Sequence, residues 1–114
     1  MNFLLVLKII AALGTAGTGL LALVKPTAVH GFTGLLADGP RGISEIRSIF
    51  GGLFIALGVA PFIFGAPAYQ VLGLGYLAIA LVRLVSIFLD KSTASSNWIS
   101  LAIEIVFGVI LILR

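Results

Sequence analysis

The chain has 114 residues, 61% of them hydrophobic and only 10% charged, with a net charge of +3. Soluble proteins carry roughly 25% charged residues, and a mean hydropathy of +1.27 is more apolar surface than one small soluble domain can hide. The composition therefore excludes a soluble globular fold, the lack of cysteine excludes disulfides and thiolate chemistry, and seven scattered cations do not make a nucleic-acid face.

The first predicted helix covers residues 2–24. At about 1.5 Å per residue it is roughly 33 Å long, enough for a hydrocarbon core of about 30 Å. It is longer than the apolar core of a signal peptide and lacks a basic start and a small-residue cleavage site, so a retained helix is expected. Its middle, from Ala11 to Gly19, is rich in glycine, alanine and threonine, which allow close approach of helix backbones in lipid. Lys8, two turns inside the start, is expected to snorkel toward the headgroups.

Lys25-Pro26 ends that helix, because proline cannot continue it. The linker to about Arg41 holds His30 and the turn signal Asp38-Gly39-Pro40. Its centre, residues 28–36, is too apolar for a free loop; a short helix or turn lying in the membrane interface over the bundle mouth is expected. The second helix covers 42–64, with Ser44 or Asp38 as N-cap and Pro61 weakening its last turn. Gly65-Ala66-Pro67 is a tight turn, Pro67 suiting a first helical position. The third helix covers 67–90, residues 90–97 form a polar loop, and the fourth helix covers 96–113, with Trp98 at headgroup level. The prediction is an all-α, single-domain (1–114) integral membrane protein, an antiparallel four-helix transmembrane bundle. Lys25, Arg41 and Lys91 lie on one side, so the positive-inside rule puts both termini outside, by a margin of about one charge.

Besides Lys8 and the terminal Asp90, four charges fall inside these helices. In an antiparallel hairpin, residues equidistant from the turn share a depth. A turn between Gly65 and Ala66 puts Arg47 level with Leu84, and a turn near Thr93 puts Arg83 level with Glu104. Arg47, Arg83 and Glu104 then share one layer, with Glu45 about 3 Å shallower. Arg83 lies roughly 10 Å in from Asp90, beyond the headgroup boundary. An isolated charge at membrane depth costs at least about 2.5–3.5 kcal/mol, and two positives with two negatives cancel. Arginine suits such pairing, since its planar fork meets a carboxylate through two parallel bonds. Arg83–Glu104 is one expected pair, and Arg47 with Glu45 or Glu104 the next. At 3.6 residues per turn Glu45 shares a stripe with Ser48, Gly52 and Ala56, whereas Arg47 points about 200° away beside Gly51 and Gly58. Arg47 is therefore expected inside, with Glu45 facing the linker or a partner. Arg41 and Asp90 form a second, shallower layer, joined by Tyr76 and Ser86 on the polar stripe of the third helix.

Glu45-x-Arg47-x-x-x-Gly51-Gly52, then Gly75-Tyr76-Leu77-Ala78-x-Ala80-x-x-Arg83-x-x-Ser86-x-x-x-Asp90 and a lone glutamate in the last helix, resemble the bacterial "domain of unknown function 4345" family over nearly the whole chain. The resemblance implies a small four-helix protein of the bacterial cytoplasmic (inner) membrane and assigns no activity.

Catalytic residues are not expected. Ser44, Ser48 and Ser86 have no histidine base at helical spacing, and neither a phosphate loop nor paired metal carboxylates are present. His30 is the one histidine and suits neither a metal site nor haem ligation across the chain. Four short helices without an inverted repeat disfavour a transporter. Two readings stand. One is a structural or accessory membrane protein, acting in a homo-oligomer or beside a membrane-protein partner, motivated by the glycine-rich faces of the first two helices. The other is a bundle in which Arg47 and Arg83 hold a lipid headgroup, a quinone oxygen or a small anion. No cofactor or metal is called for beyond a bound lipid or quinone in that second reading; the bilayer is the expected partner in both.

Overall fold

The structure is a computed structural model that describes residues 2–114. Helix α1 (Phe3–Val24) opens where Asn2 accepts the Leu5 amide on its side-chain oxygen at 2.7 Å, which satisfies one of the helix's orphan donors. A 3₁₀ turn, Pro26–Val29, leads into the short α2 (His30–Thr33), which Gly34 closes in the left-handed region with φ 74°. Helix α3 spans Gly39–Phe64. It starts three residues before the predicted Gly42, because Pro40 fits the first turn, where a missing N–H costs nothing. Gly65, at φ 84° and ψ −156°, makes a turn that a residue with a Cβ would strain to adopt. Helix α4 (Ala66–Leu89) follows at once, and α5 (Ser95–Ile112) completes the chain.

Among the described residues there is no strand; the protein is all-α, and α1, α3, α4 and α5 are each long and apolar enough to cross a membrane. The molecule measures 44 × 31 × 17 Å. Its long dimension matches the roughly 40–45 Å of a bilayer with its headgroups.

Glycines set the packing. A Cβ on Gly58 would lie 2.6 Å from the backbone of Ala12 and Ala16, and one on Gly19 2.8 Å from the backbone of Gly51 and Ile55. Positions rising along α1 thus meet positions falling along α3. The α4/α5 contact is similar: Gly73 abuts Gly108 and Ile112, and Gly108 abuts Leu77. These two pairings, α1 with α3 and α4 with α5, are the extensive ones, and the contact between the pairs is thinner. Ala11, Ala12, Tyr69, Leu72 and Leu111 fill the centre between the pairs. The linker tucks Val29 between Ala22 and Ile46, so its apolar residues cover one end of α1 and α3. Outside, Phe64, Leu81, Val82, Phe88 and Leu89 stand exposed. In water, burying so little of so apolar a chain would leave a large unfavourable surface.

Candidate functional site

Two residues of opposite charge meet across the α4/α5 contact. Arg83 donates from Nε to Glu104 Oε1 and from Nη2 to Glu104 Oε2, both at 2.7 Å. This is the bidentate fork–fork geometry that gives arginine–carboxylate pairs both strength and direction. Arg83 Nη1 donates to Asn97 Oδ1, also at 2.7 Å. Asn97 Nδ2 in turn donates to the Ser92 carbonyl and the Ser92 hydroxyl, each at 2.9 Å. The network fixes the amide's orientation, since the flipped form would set an NH₂ group against the guanidinium.

Local sequence explains the convergence. Asn97 and Glu104 are seven residues apart on α5, two turns along one face. Lys91, at φ 55°, turns the chain sharply enough for loop 91–94 to fold back on the first turn of α5. Glu104 is 8% exposed, whereas the Arg83 side chain is about a third exposed at 31%. A buried carboxylate is costly unless paired and hydrogen-bonded; here both oxygens have partners. Among the described residues no buried side-chain polar atom lacks one.

The single layer of four charges does not form. Glu45 pairs with Arg41, one turn earlier on α3, and both are exposed. Arg47 is exposed and makes no ion pair among the described residues. The cause lies in the backbone, because residues 46–53 of α3 are π-helical. An i→i+5 ladder holds more residues per turn than an α-helix, which rotates Ile46 toward the face of Gly51. Ile46 and Gly51 are accordingly buried, with Gly51 against Leu23 of α1. Counting at 3.6 residues per turn assigns that inner place to Arg47, one residue too far.

The shallower layer is corrected as well. Arg41 is held by Glu45 and not by Asp90, which instead accepts from Ser86 Oγ one turn back at 2.6 Å. Tyr76 belongs to neither layer. Its hydroxyl bonds Thr15 Oγ1 and its ring meets Phe107 edge-on, centroids 5.6 Å apart. Arg83 uses three of its five N–H donors inside the cluster, and Arg47 does not join it, so the two arginines do not share a site. His30 lies exposed on α2.

Two polar contacts escape a reading by helix period. Thr15 of α1 donates to the Ala11 carbonyl at 2.8 Å and meets Tyr76 of α4. Lys8 does not snorkel: it is buried, its Nζ donates to the Leu113 carbonyl, and it sits 5.9 Å from the centroid of the Tyr69 ring. A cation there satisfies an orphan carbonyl where the α5 dipole is negative and adds a cation–π contact. Both contacts depend on which helices become neighbours. A lysine two turns into an apolar helix and a Tyr69/Tyr76 heptad step were the only hints.

No curated protein and no solved structure matches the chain. One family model does, over residues 3–114, a stretch that contains all five helices and the whole Arg83–Glu104–Asn97 network. On that match the chain belongs to the family described as Domain of unknown function (DUF4345).

Proposed function

We propose that the chain is a multi-pass protein of the bacterial cytoplasmic membrane, folded as an antiparallel four-helix transmembrane bundle, that serves without catalysis as a structural or accessory subunit. It acts in a homo-oligomer or beside another membrane protein. Membrane insertion is supported by the four apolar helices and their exposed side chains. The Arg83–Glu104–Asn97 network is then an internal lock between α4 and α5, neutral and hydrogen-bonded.

The outward Arg47 is the observation that carries the partner. It stands roughly 10–12 Å from the start of α3, flanked by the exposed Ile49, Phe50 and Leu53. A lone arginine facing hydrocarbon is unfavourable by about 2.5–3.5 kcal/mol at the bilayer centre and by less toward the interface. A carboxylate or carbonyl from a neighbouring subunit would offset that cost. Arg47 stands in the π-helical segment, and π-bulges are frequent at functional sites.

Native mass spectrometry of the tagged protein, released from its membrane in mild detergent, tests this. The expected spectrum shows multiples of the 11.9 kDa chain or a co-purifying membrane protein, with Arg47→Gln reducing the assembled fraction several-fold while the monomer stays folded. A clean monomer from the unmodified chain, or an assembly indifferent to Arg47→Gln, would contradict the reading.

A further inference from the structure

We infer that the protein holds one hydrocarbon chain of a membrane phospholipid in a crevice between its two helix pairs, an inference that rests on the membrane reading above. The crevice has a volume of ≈ 190 Å³ and almost wholly apolar walls. Phe54 and Leu57 of α3 and Leu72, Gly75 and Ile79 of α4 line it, together with the hydrogen-bonded Thr15 and Tyr76. It lies where packing is thinnest, between α1/α3 and α4/α5.

Several observations select the occupant. The first is size. An apolar cavity of about 150 Å³ stays dry and accommodates benzene; this crevice thus suits a segment of roughly six carbons and is far too narrow for a helix, whose diameter is about 10–12 Å. Depth is the second. Tyr76 is about 15 Å from the start of α4 and about 20 Å from its end, level with the middle of a hydrocarbon core, where lipid chains and not headgroups are found.

The third is polarity. Thr15 Oγ1 lies within hydrogen-bond reach of both the Ala11 carbonyl and the Tyr76 hydroxyl, so the two hydroxyls are engaged with each other and with the backbone. The walls offer a quinone carbonyl or carboxylate no side-chain donor beyond this pair, which is already hydrogen-bonded within the protein. A plain hydrocarbon chain asks for none.

Gly75 supplies the last observation. A Cβ there would meet nothing within 4 Å, so one wall of the crevice is bare although the position lies in mid-helix. Glycine costs a helix about 1 kcal/mol relative to alanine, and no backbone contact at Gly75 requires it. Gly17 on α1 is equally free of neighbours but does not line this crevice, which makes it a matched control.

The experiment uses the full chain reconstituted in phosphatidylcholine vesicles containing a phosphatidylcholine with a diazirine at mid-chain. Illumination and peptide mapping are expected to concentrate adducts on residues 71–79 and on Phe54 and Leu57. Gly75→Leu should lower that labelling several-fold, with Gly17→Leu leaving it unchanged. Adducts spread evenly over the exposed apolar side chains, or labelling indifferent to Gly75→Leu, would overturn the proposal while leaving the membrane reading intact. Labelling missing only from the crevice, together with a dimer cross-linked through residues 71–79, would assign the crevice to a second copy and overturn it too. No adduct anywhere would overturn the membrane reading and this one with it.

Discussion

Arg83→Leu is expected to be among the most damaging single substitutions in the chain, at about 3 kcal/mol. It removes both hydrogen bonds from a carboxylate that is 8% exposed and leaves Glu104 without a counter-ion. Breaking a buried pair from one side costs roughly 3–5 kcal/mol; the partial exposure of Arg83 puts this case at the low end. Glu104→Leu should cost less, about 1–2 kcal/mol, since the stranded guanidinium keeps Asn97 and some access to solvent or headgroups. The double variant Arg83→Leu/Glu104→Leu should be milder than Arg83→Leu alone, because an apolar pair of similar volume often replaces a buried ion pair at little cost. The exposed Arg41–Glu45 pair is the control, with Arg41→Leu costing no more than about 1 kcal/mol. Unfolding of the unmodified chain, the two single variants and the double variant in detergent gives the coupling energy directly. Purely additive effects at Arg83 and Glu104 would mean that the two side chains do not interact.

The second large effect is expected at Gly58. An added Cβ would lie 2.6 Å from the Ala12 carbonyl oxygen and the Ala16 amide nitrogen, and backbone atoms cannot rotate out of the way. Gly58→Ala must push α1 and α3 apart along their whole contact, at about 1–3 kcal/mol by the usual cost of overpacking. Gly58→Leu should prevent the pair from forming. Gly75→Ala is the same chemical change where nothing stands within 4 Å, and there it should be neutral or raise the melting temperature through better helix propensity. Opposite signs at the two glycines would establish how closely α1 approaches α3. An unchanged melting temperature for Gly58→Ala would show that the helices are not in backbone contact there.

The number and type of the helices, and the level of Arg83 with Glu104, were legible in the sequence for one physical reason. Both depend only on regular α-helical rise and on a short loop, and α4 and α5 are regular from Ala66 to Leu89 and from Ser95 to Ile112. The second helix's share of the site was not legible, for two separate reasons. A start at Gly42 leaves Arg41 outside the helix, where it cannot be the i−4 partner of Glu45; the helix in fact begins at Gly39. Counting at 3.6 residues per turn through Ile46–Leu53 then ignores the π-helical register. Hydrophobic pattern alone does not reveal that register, because Ile46 and Arg47 differ by a single step. Lys8 went astray for another cause. The carbonyl it reaches belongs to Leu113, 105 residues away in the chain, and becomes its neighbour only once α1 packs against α5.

Thiol accessibility tests most directly whether the Arg83–Glu104 layer lies at hydrocarbon depth. The chain contains no cysteine, so Thr93→Cys, Ile103→Cys and Ile105→Cys each introduce a single thiol. Ile103 and Ile105 flank Glu104 and are 47% and 45% exposed on the protein surface, so shielding there comes from the lipid and not from the bundle. In open membrane fragments, where a water-soluble maleimide reaches both faces, Thr93→Cys should label rapidly. Ile103→Cys and Ile105→Cys should stay unlabelled until the membrane is dissolved. Labelling of either isoleucine position at the rate of the loop thiol would contradict that depth, placing the Arg83–Glu104 pair in water.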